Sequence, residues 1–192
     1  MEYLGILIGA ILVNNVILMQ FLGLCSFFGV SDKMKSVTGM SLAVIAVIFF
    51  SVVVTYPIYV FILLPLKIGY LDTIVFALVI AAIVQLTELT VKKLSKSLYR
   101  SLGIYLPLIA TNCAVLGVTL TLVHSNPIPN YLEAITLGIG TALGYALVII
   151  AFTAIKLKLN SNDVPKAFKG LPIAFVTTAL MALAFMGLSG LL

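Results

Sequence analysis

Apolar residues along this chain neither alternate with polar ones nor gather into a stripe. They run on, in six stretches near residues 4–29, 37–64, 71–91, 99–123, 131–155 and 171–191. A run longer than about 18 apolar residues reads as a membrane helix, because ~20 residues at 1.5 Å rise cross a ~30 Å hydrocarbon layer. A transmembrane strand would alternate over about ten positions instead. Val44 to Phe50 and Ile74 to Val84 are apolar on every side, so the pattern predicts helices. The expected fold is therefore an all-α polytopic membrane protein with six transmembrane spans. The first run opens with Glu2 where a signal peptide would carry basic residues, and no small-x-small cleavage site follows it. Span 1 is expected to stay in the protein.

Composition narrows the class further. Of 192 residues, 62% are hydrophobic and 9% charged, against roughly 25% charge in a soluble domain. Too little polar surface exists to cover a water-soluble fold. Disorder needs the opposite balance, and two cysteines cannot form a disulfide framework. The net charge of +5 raises nucleic acid, but a basic stripe needs a solvated face that so apolar a sequence lacks.

The positive charges instead mark a side. With six crossings, the loops after spans 1, 3 and 5 share one side. They hold Lys33 and Lys35, then Lys92, Lys93, Lys96 and Arg100, then Lys156, Lys158, Lys166 and Lys169. Only Lys67 falls on the other. Lys and Arg concentrate in short cytoplasmic loops, so both termini are expected outside a bacterial or archaeal cytoplasmic membrane.

A repeat is faintly visible. Cys25-Ser26-Phe27-Phe28-Gly29-Val30 in span 1 matches Cys113-Ala114-Val115-Leu116-Gly117-Val118 in span 4 as C-x-x-x-G-V, and Ile74-Val75-Phe76 in span 3 echoes Ile173-Ala174-Phe175 in span 6. Three-helix units repeated in tandem must point opposite ways, because three crossings end on the far side. This predicts two inverted repeats, residues 1–95 and 96–192, with the functional site near the midplane where they meet.

Cysteine in a buried helix is usually a small hydrophobe. Here the only two occupy equivalent repeat positions, each four residues before a glycine, and an in-plane axis would bring them together. Two thiolates can ligate a soft metal or half an iron–sulfur cluster; a disulfide is the rival. Spans 1 and 4 are also predicted to break. Asn14, Asn15 and Gln20 interrupt span 1, Gly23 and Gly29 flank Cys25, and span 4 carries Pro107, Thr111 and Asn112 before Cys113. Backbone broken inside a membrane needs partners from protein or ligand. For Gly29 and Gly117, close helix packing and a bound cofactor are both open; the Asn112-Cys113 pair favours the cofactor. A four-thiolate cluster is a negative site in low dielectric. No Lys or Arg lies in either cysteine segment, so backbone N–H groups of broken helices are the available compensation.

Other polar residues offer less. Glu88 has Lys92 at i+4 and reads as an interfacial ion pair. His124 reads as solvated in a loop, and Asp32, Asp72, Glu133 and Asp163 fall in loops. No phosphate-loop, dinucleotide or H-E-x-x-H motif is present.

The segments Gly23-Leu24-Cys25-Ser26-Phe27-Phe28-Gly29-Val30 and Leu106-Pro107-Leu108-Ile109-Ala110-Thr111-Asn112-Cys113-Ala114-Val115-Leu116-Gly117 closely resemble the A-subunit family of Rnf-type ion-translocating ferredoxin:NAD oxidoreductases. That family is paralogous with the D and E subunits of the sodium-pumping NADH:quinone oxidoreductase. The likeness runs through nearly the whole chain, including Ala81-Ala82-Ile83-Val84-Gln85 and Leu102-Gly103-Ile104, with no departure at the cysteines.

The resemblance implies a membrane subunit that relays electrons in an ion-translocating complex, coupled to Na⁺ or H⁺. It implies a [2Fe–2S] cluster shared with a homologous E-type partner, Cys25 and Cys113 being this chain's ligands, with Gly23, Gly29, Asn112 and Gly117 around them. Flavins and further iron–sulfur clusters would belong to other subunits, so this chain would be part of a translocase without a complete active site of its own. Two alternatives stand beside it. An inverted-repeat secondary transporter would want an intramembrane charge, for which only Glu88 is available; a passive scaffold would not need the cysteines at all.

Overall fold

Span 1 leaves helical geometry where its polar residues begin. In the computed structural model, α1 (Glu2–Ile8) widens into a π turn over Gly9–Val13 and then stops, the N–H of Asn14 closing on the carbonyl of Gly9 at 2.8 Å. An irregular stretch runs to Gly23, and α2 (Leu24–Val30) resumes the span. The buried Asn15 stitches this gap together. Its Oδ1 accepts the N–H of Ile17 at 3.1 Å, and its Nδ2 donates to the carbonyl of Ile11 at 3.1 Å. A short amide side chain thus supplies the partners that an interrupted helix loses.

The structure describes residues 2–31, 34–66, 71–94, 109, 112–124, 130–160, 165 and 168–189. After α2 come α3 (Met34–Ile58), α4 (Asp72–Leu94), α5 (Cys113–His124), α6 (Tyr131–Asn160) and α7 (Leu171–Ser189). Beyond Pro57, whose missing N–H interrupts the ladder, α3 continues as a second π turn, Tyr59–Leu63. No strand occurs among the described residues. Wherever the chain is described, its helices follow the apolar runs. Met34–Leu63 and Tyr131–Leu159 are long and apolar enough to cross a membrane, while Tyr3–Val13, Asp72–Thr87, Cys113–His124 and Leu171–Gly187 are shorter apolar helices.

Two long helices, α3 and α6, pack along each other and form the axis of the bundle. The first half of span 1 lies on α6, where Gly140 and Gly144 let the backbones close. A Cβ on Gly140 would stand 2.9 Å from Ala10 Cβ, and one on Gly144 3.0 Å from the Ile11 carbonyl oxygen. This is the small-xxx-small solution to packing where no hydrophobic effect pulls helices together. α4 packs on α3 and α5, α7 on α6 and the π turn of span 1. Hydroxyls inside the helices mostly turn back on their own backbone: Ser41, Thr87, Thr141, Thr153, Thr177 and Thr178 each donate to the carbonyl four residues earlier. That satisfies them without water.

The ends correct several readings of the sequence. Asp72 is not in a loop; it is buried at the start of α4, bonds the N–H of Thr73 at 2.6 Å, and lies 3.5 Å from His124 Nε2. His124 has an exposed ring but belongs to a helix, as the last residue of α5. A short helix end needs polar partners, and these two supply them across neighbouring turns. Glu133 also belongs to a helix, in the first turn of α6, where its carboxylate accepts from the N–H and the Nδ2 of Asn130 at 3.0 and 3.2 Å, closing that helix end. Asp32, Asp163 and the side chain of Glu88 lie outside the described residues.

Candidate functional site

Both cysteines stand at helix starts, that of Cys25 following the break in span 1. α2 begins at Leu24 behind Gly23, whose φ of 83° places it in the left-handed region where a side chain is strained. Cys25 is the second residue of that helix. α5 begins at Cys113 itself, and Asn112 caps it, its Oδ1 accepting the N–H of Ala114 at 3.1 Å. Helix starts carry N–H groups without intrahelical partners. At this site they turn toward sulfur. Gly23 donates its N–H to Cys113 Sγ at 3.0 Å. The Cys25 thiol lies within interaction range of the Cys113 thiol and of the backbone at Cys25 and Ser26.

Residues 88 apart in sequence thus present two free thiols at one point. Cys113 is half-buried and Cys25 exposed at the protein surface. Among the described residues, no third His, Cys, Asp or Glu joins them to complete a metal-binding group. The donor set is soft and half-complete. The Nδ2 of Asn112, the residue next to Cys113, is buried beside the Tyr145 hydroxyl and makes no well-formed hydrogen bond among the described residues. An unpaired buried donor costs about 1–3 kcal/mol unless an acceptor comes to the site. Paired soft sulfurs, surrounding N–H groups and an orphan donor fit one side of an iron–sulfur cluster.

Aromatic packing fixes α2 behind the thiols. Phe27 stacks on Phe152 of α6 with ring centroids 4.2 Å apart, and Phe28 meets Phe175 of α7 at 4.7 Å. Of the three glycines and one asparagine expected around the cysteines, Gly23 and Asn112 border them. A Cβ on Gly23 would lie 3.2 Å from Ala114 Cβ and from Asn112 Oδ1. Gly117 sits a turn into α5 and makes room for Leu22 of the broken segment, so its role is packing. Gly29 lies a turn beyond Cys25 on an exposed face. Pro107 and Thr111, with the first half of span 4, lie outside the described residues.

Two residues at the site escape a reading from sequence. Ser26 and Tyr145 are fully buried, and their hydroxyls are 2.7 Å apart. The available signal was the place of Tyr145: membrane tyrosines favour the interface belts, and this one sits mid-run among Gly144, Ala146 and Leu147.

On the N-terminal side of the break, a cavity of about 640 Å³ opens between α1, α5 and α6, lined by Asn14, Gln20, Thr121 and Thr141 among apolar residues. None of its described lining residues is charged. Beside it, Phe21 holds a φ of 55° and is exposed.

Comparison with known proteins bears on this geometry. Residues 3–192 match the family described as "Rnf-Nqr subunit, membrane protein". The chain is 52% identical over 190 residues to the A-subunit of the ion-translocating oxidoreductase complex of Shewanella piezotolerans, covering 99% of this chain and 98% of that protein. It is 53% identical to the protein of the same name from Aliivibrio salmonicida, over 99% and 97% of the two chains. To the A-subunit of the Na(+)-translocating ferredoxin:NAD(+) oxidoreductase complex of Acetobacterium woodii it is 49% identical, over 100% and 98%.

Proposed function

The chain belongs to the Rnf-Nqr family of membrane subunits, and from that premise we propose that Cys25 and Cys113 hold one half of a [2Fe–2S] cluster within the membrane part of an ion-translocating electron-transport complex. The observation that carries this reading is the meeting of the two thiols at facing helix starts, with the Gly23 N–H 3.0 Å from Cys113 Sγ. Such a cluster, when bound, supplies reversible one-electron storage.

The chain's own residues make the site habitable for negative charge. Gly23 aims its backbone N–H at the Cys113 sulfur, the backbone at Cys25 and Ser26 lies within range of the Cys25 sulfur, and the start of α5 adds the positive end of a twelve-residue helix. In low dielectric these donors replace the missing Lys or Arg. Asn112 offers a further N–H₂ to an acceptor arriving beside Cys113. Two thiolates leave two positions to fill, and the exposed Cys25 leaves that side open to a neighbour. The neighbour is a homologous E-type subunit of inverted topology, bringing two cysteines of its own, with flavin and other iron–sulfur subunits on either side of the membrane. Negative charge added at such a site favours compensating cation movement, which links the electron relay to Na⁺ or H⁺ transport.

The arrangement we propose has two inverted repeats, residues 1–95 and 96–192. α3 and α6 then form the central pair, and each repeat supplies one cysteine at a helix start. The basic residues in the loops after spans 1, 3 and 5 support a topology with both termini on the outer face of the cytoplasmic membrane. An ion-relay transporter would want charge in its cavity, and the described lining of the 640 Å³ cavity has none.

Iron content and EPR of the chain purified alone and with its membrane partner test the proposal. A [2Fe–2S] signal is expected in the pair and absent from the chain alone. An iron-free, colourless complex, or a full cluster in the isolated chain, would contradict it.

A further inference from the structure

Ser26 has one hydroxyl proton and spends it on the carbonyl of Gly23 at 2.8 Å. Its 2.7 Å contact with Tyr145 must then be one in which the tyrosine O–H donates. Tyr145 therefore reaches from α6 through Ser26 to Gly23, the residue whose own N–H is 3.0 Å from Cys113 Sγ. Its ring also backs the same glycine: a Cβ there would stand 3.3 Å from Tyr145 Cε2. Gly23 holds its left-handed conformation with the carbonyl gripped twice, by Ser26 and by the Phe27 N–H at 3.0 Å, and only the first grip reaches another helix. The bonds that run from Tyr145 to the sulfur lie in a buried or half-buried setting, where loss of one is not made good by water.

We propose that Tyr145 is a positioning residue which, through Ser26, holds the Gly23 amide on the Cys113 sulfur and thereby sets the reduction potential of the group that this sulfur ligates. The inference rests on the ligand assignment proposed above. N–H donors to ligating sulfur stabilise the more negative, reduced state and raise the potential. Tyr145 touches neither iron nor electron donor in this scheme; it acts through the turn. Tyr145→Phe keeps the ring and deletes the hydroxyl that meets Ser26 and the Asn112 side chain, and Ser26→Ala deletes the tie to Tyr145 and the side-chain anchor on Gly23 together while leaving Asn112 in place.

The experiment is a redox titration, by EPR, of the [2Fe–2S] signal in the intact complex carrying Tyr145→Phe or Ser26→Ala. The titrated signal is the one that Cys25→Ser abolishes. Both variants are expected to keep the parent iron content while the midpoint potential moves negative, further for Ser26→Ala than for Tyr145→Phe. An unchanged potential with full iron in both variants, a positive shift, or loss of iron from both overturns the proposal. If Tyr145→Phe fails to assemble, Ser26→Ala alone decides it by the same criteria. If the parent complex shows no signal dependent on Cys25, the ligand assignment itself has failed, and this inference falls with it.

Discussion

Gly23 and Gly117 show how differently two glycines serve one site. Gly23 has a φ of 83°, and a Cβ there would press on Ala114, Asn112 and the Tyr145 ring at 3.2–3.3 Å, none of which is the loose end of a flexible chain. Gly23→Ala combines a left-handed penalty of about 1–2 kcal/mol with displacement of the N–H from Cys113 Sγ. It is expected to lower the iron content of the purified complex severalfold, as read by metal analysis. Gly117 has an ordinary helical backbone, and a Cβ would meet only the tip of Leu22, which can swing aside. Gly117→Ala is expected to retain iron and to lower stability only modestly, an overpacking cost of about 1–3 kcal/mol being offset by the ~1 kcal/mol that Ala gains over Gly inside a helix. The residue pattern C-x-x-x-G-V points to both cysteines but makes the two following glycines look alike. It is Gly23, before the cysteine, whose conformation the site uses. Tyr145 stays hidden in the sequence because its contacts join α6 to α2 across 119 positions, a pairing that no local spacing encodes.

Among the elements, the apolar runs foretell the described helices to within a few residues, since a polar residue inside lipid is expensive and marks the ends clearly. Asn14, Asn15 and Gly23 likewise foretell the break in span 1. The π turns at Gly9–Val13 and Tyr59–Leu63 are not foretold, because an apolar sequence satisfies its backbone equally well in either helix type. Nor is the helix start of Asp72, whose charge suggests a loop but which is buried beside His124. Packing of α1 on α6 depends on Gly140 and Gly144, spaced as small-xxx-small, where added side-chain atoms would meet backbone rather than a movable tip. Gly144→Val is therefore expected to cost about 1–3 kcal/mol by overpacking, seen as a lower thermal midpoint in detergent, with α1 more open to protease.

For the molecule as a whole, a few side-chain contacts tie the ends of neighbouring helices together. Lys156 Nζ, near the C-terminal end of α6, donates to Ser31 Oγ at the end of α2 at 2.9 Å. Asp72 at the start of α4 meets His124 at the end of α5, and Tyr56 of α3 meets Tyr131 at the start of α6 with ring centroids 5.5 Å apart. The charge asymmetry read from sequence predicts that the loops after spans 1, 3 and 5 face the cytoplasm. Epitope tags fused to the two termini are accordingly expected to be labelled from outside intact spheroplasts, and labelling only after lysis would reverse the topology. What sequence conveys poorly at this scale is incompleteness: two cysteines could be a closed pair, and only their juxtaposition at the surface, with Asn112 Nδ2 lacking a well-formed hydrogen bond, makes half a site the better description. The account stands or falls on those sulfurs. EPR of the assembled complex carrying Cys25→Ser, and separately Cys113→Ser, tests them most directly: each change is expected to abolish the membrane [2Fe–2S] signal, and an undiminished signal in either variant would contradict the account.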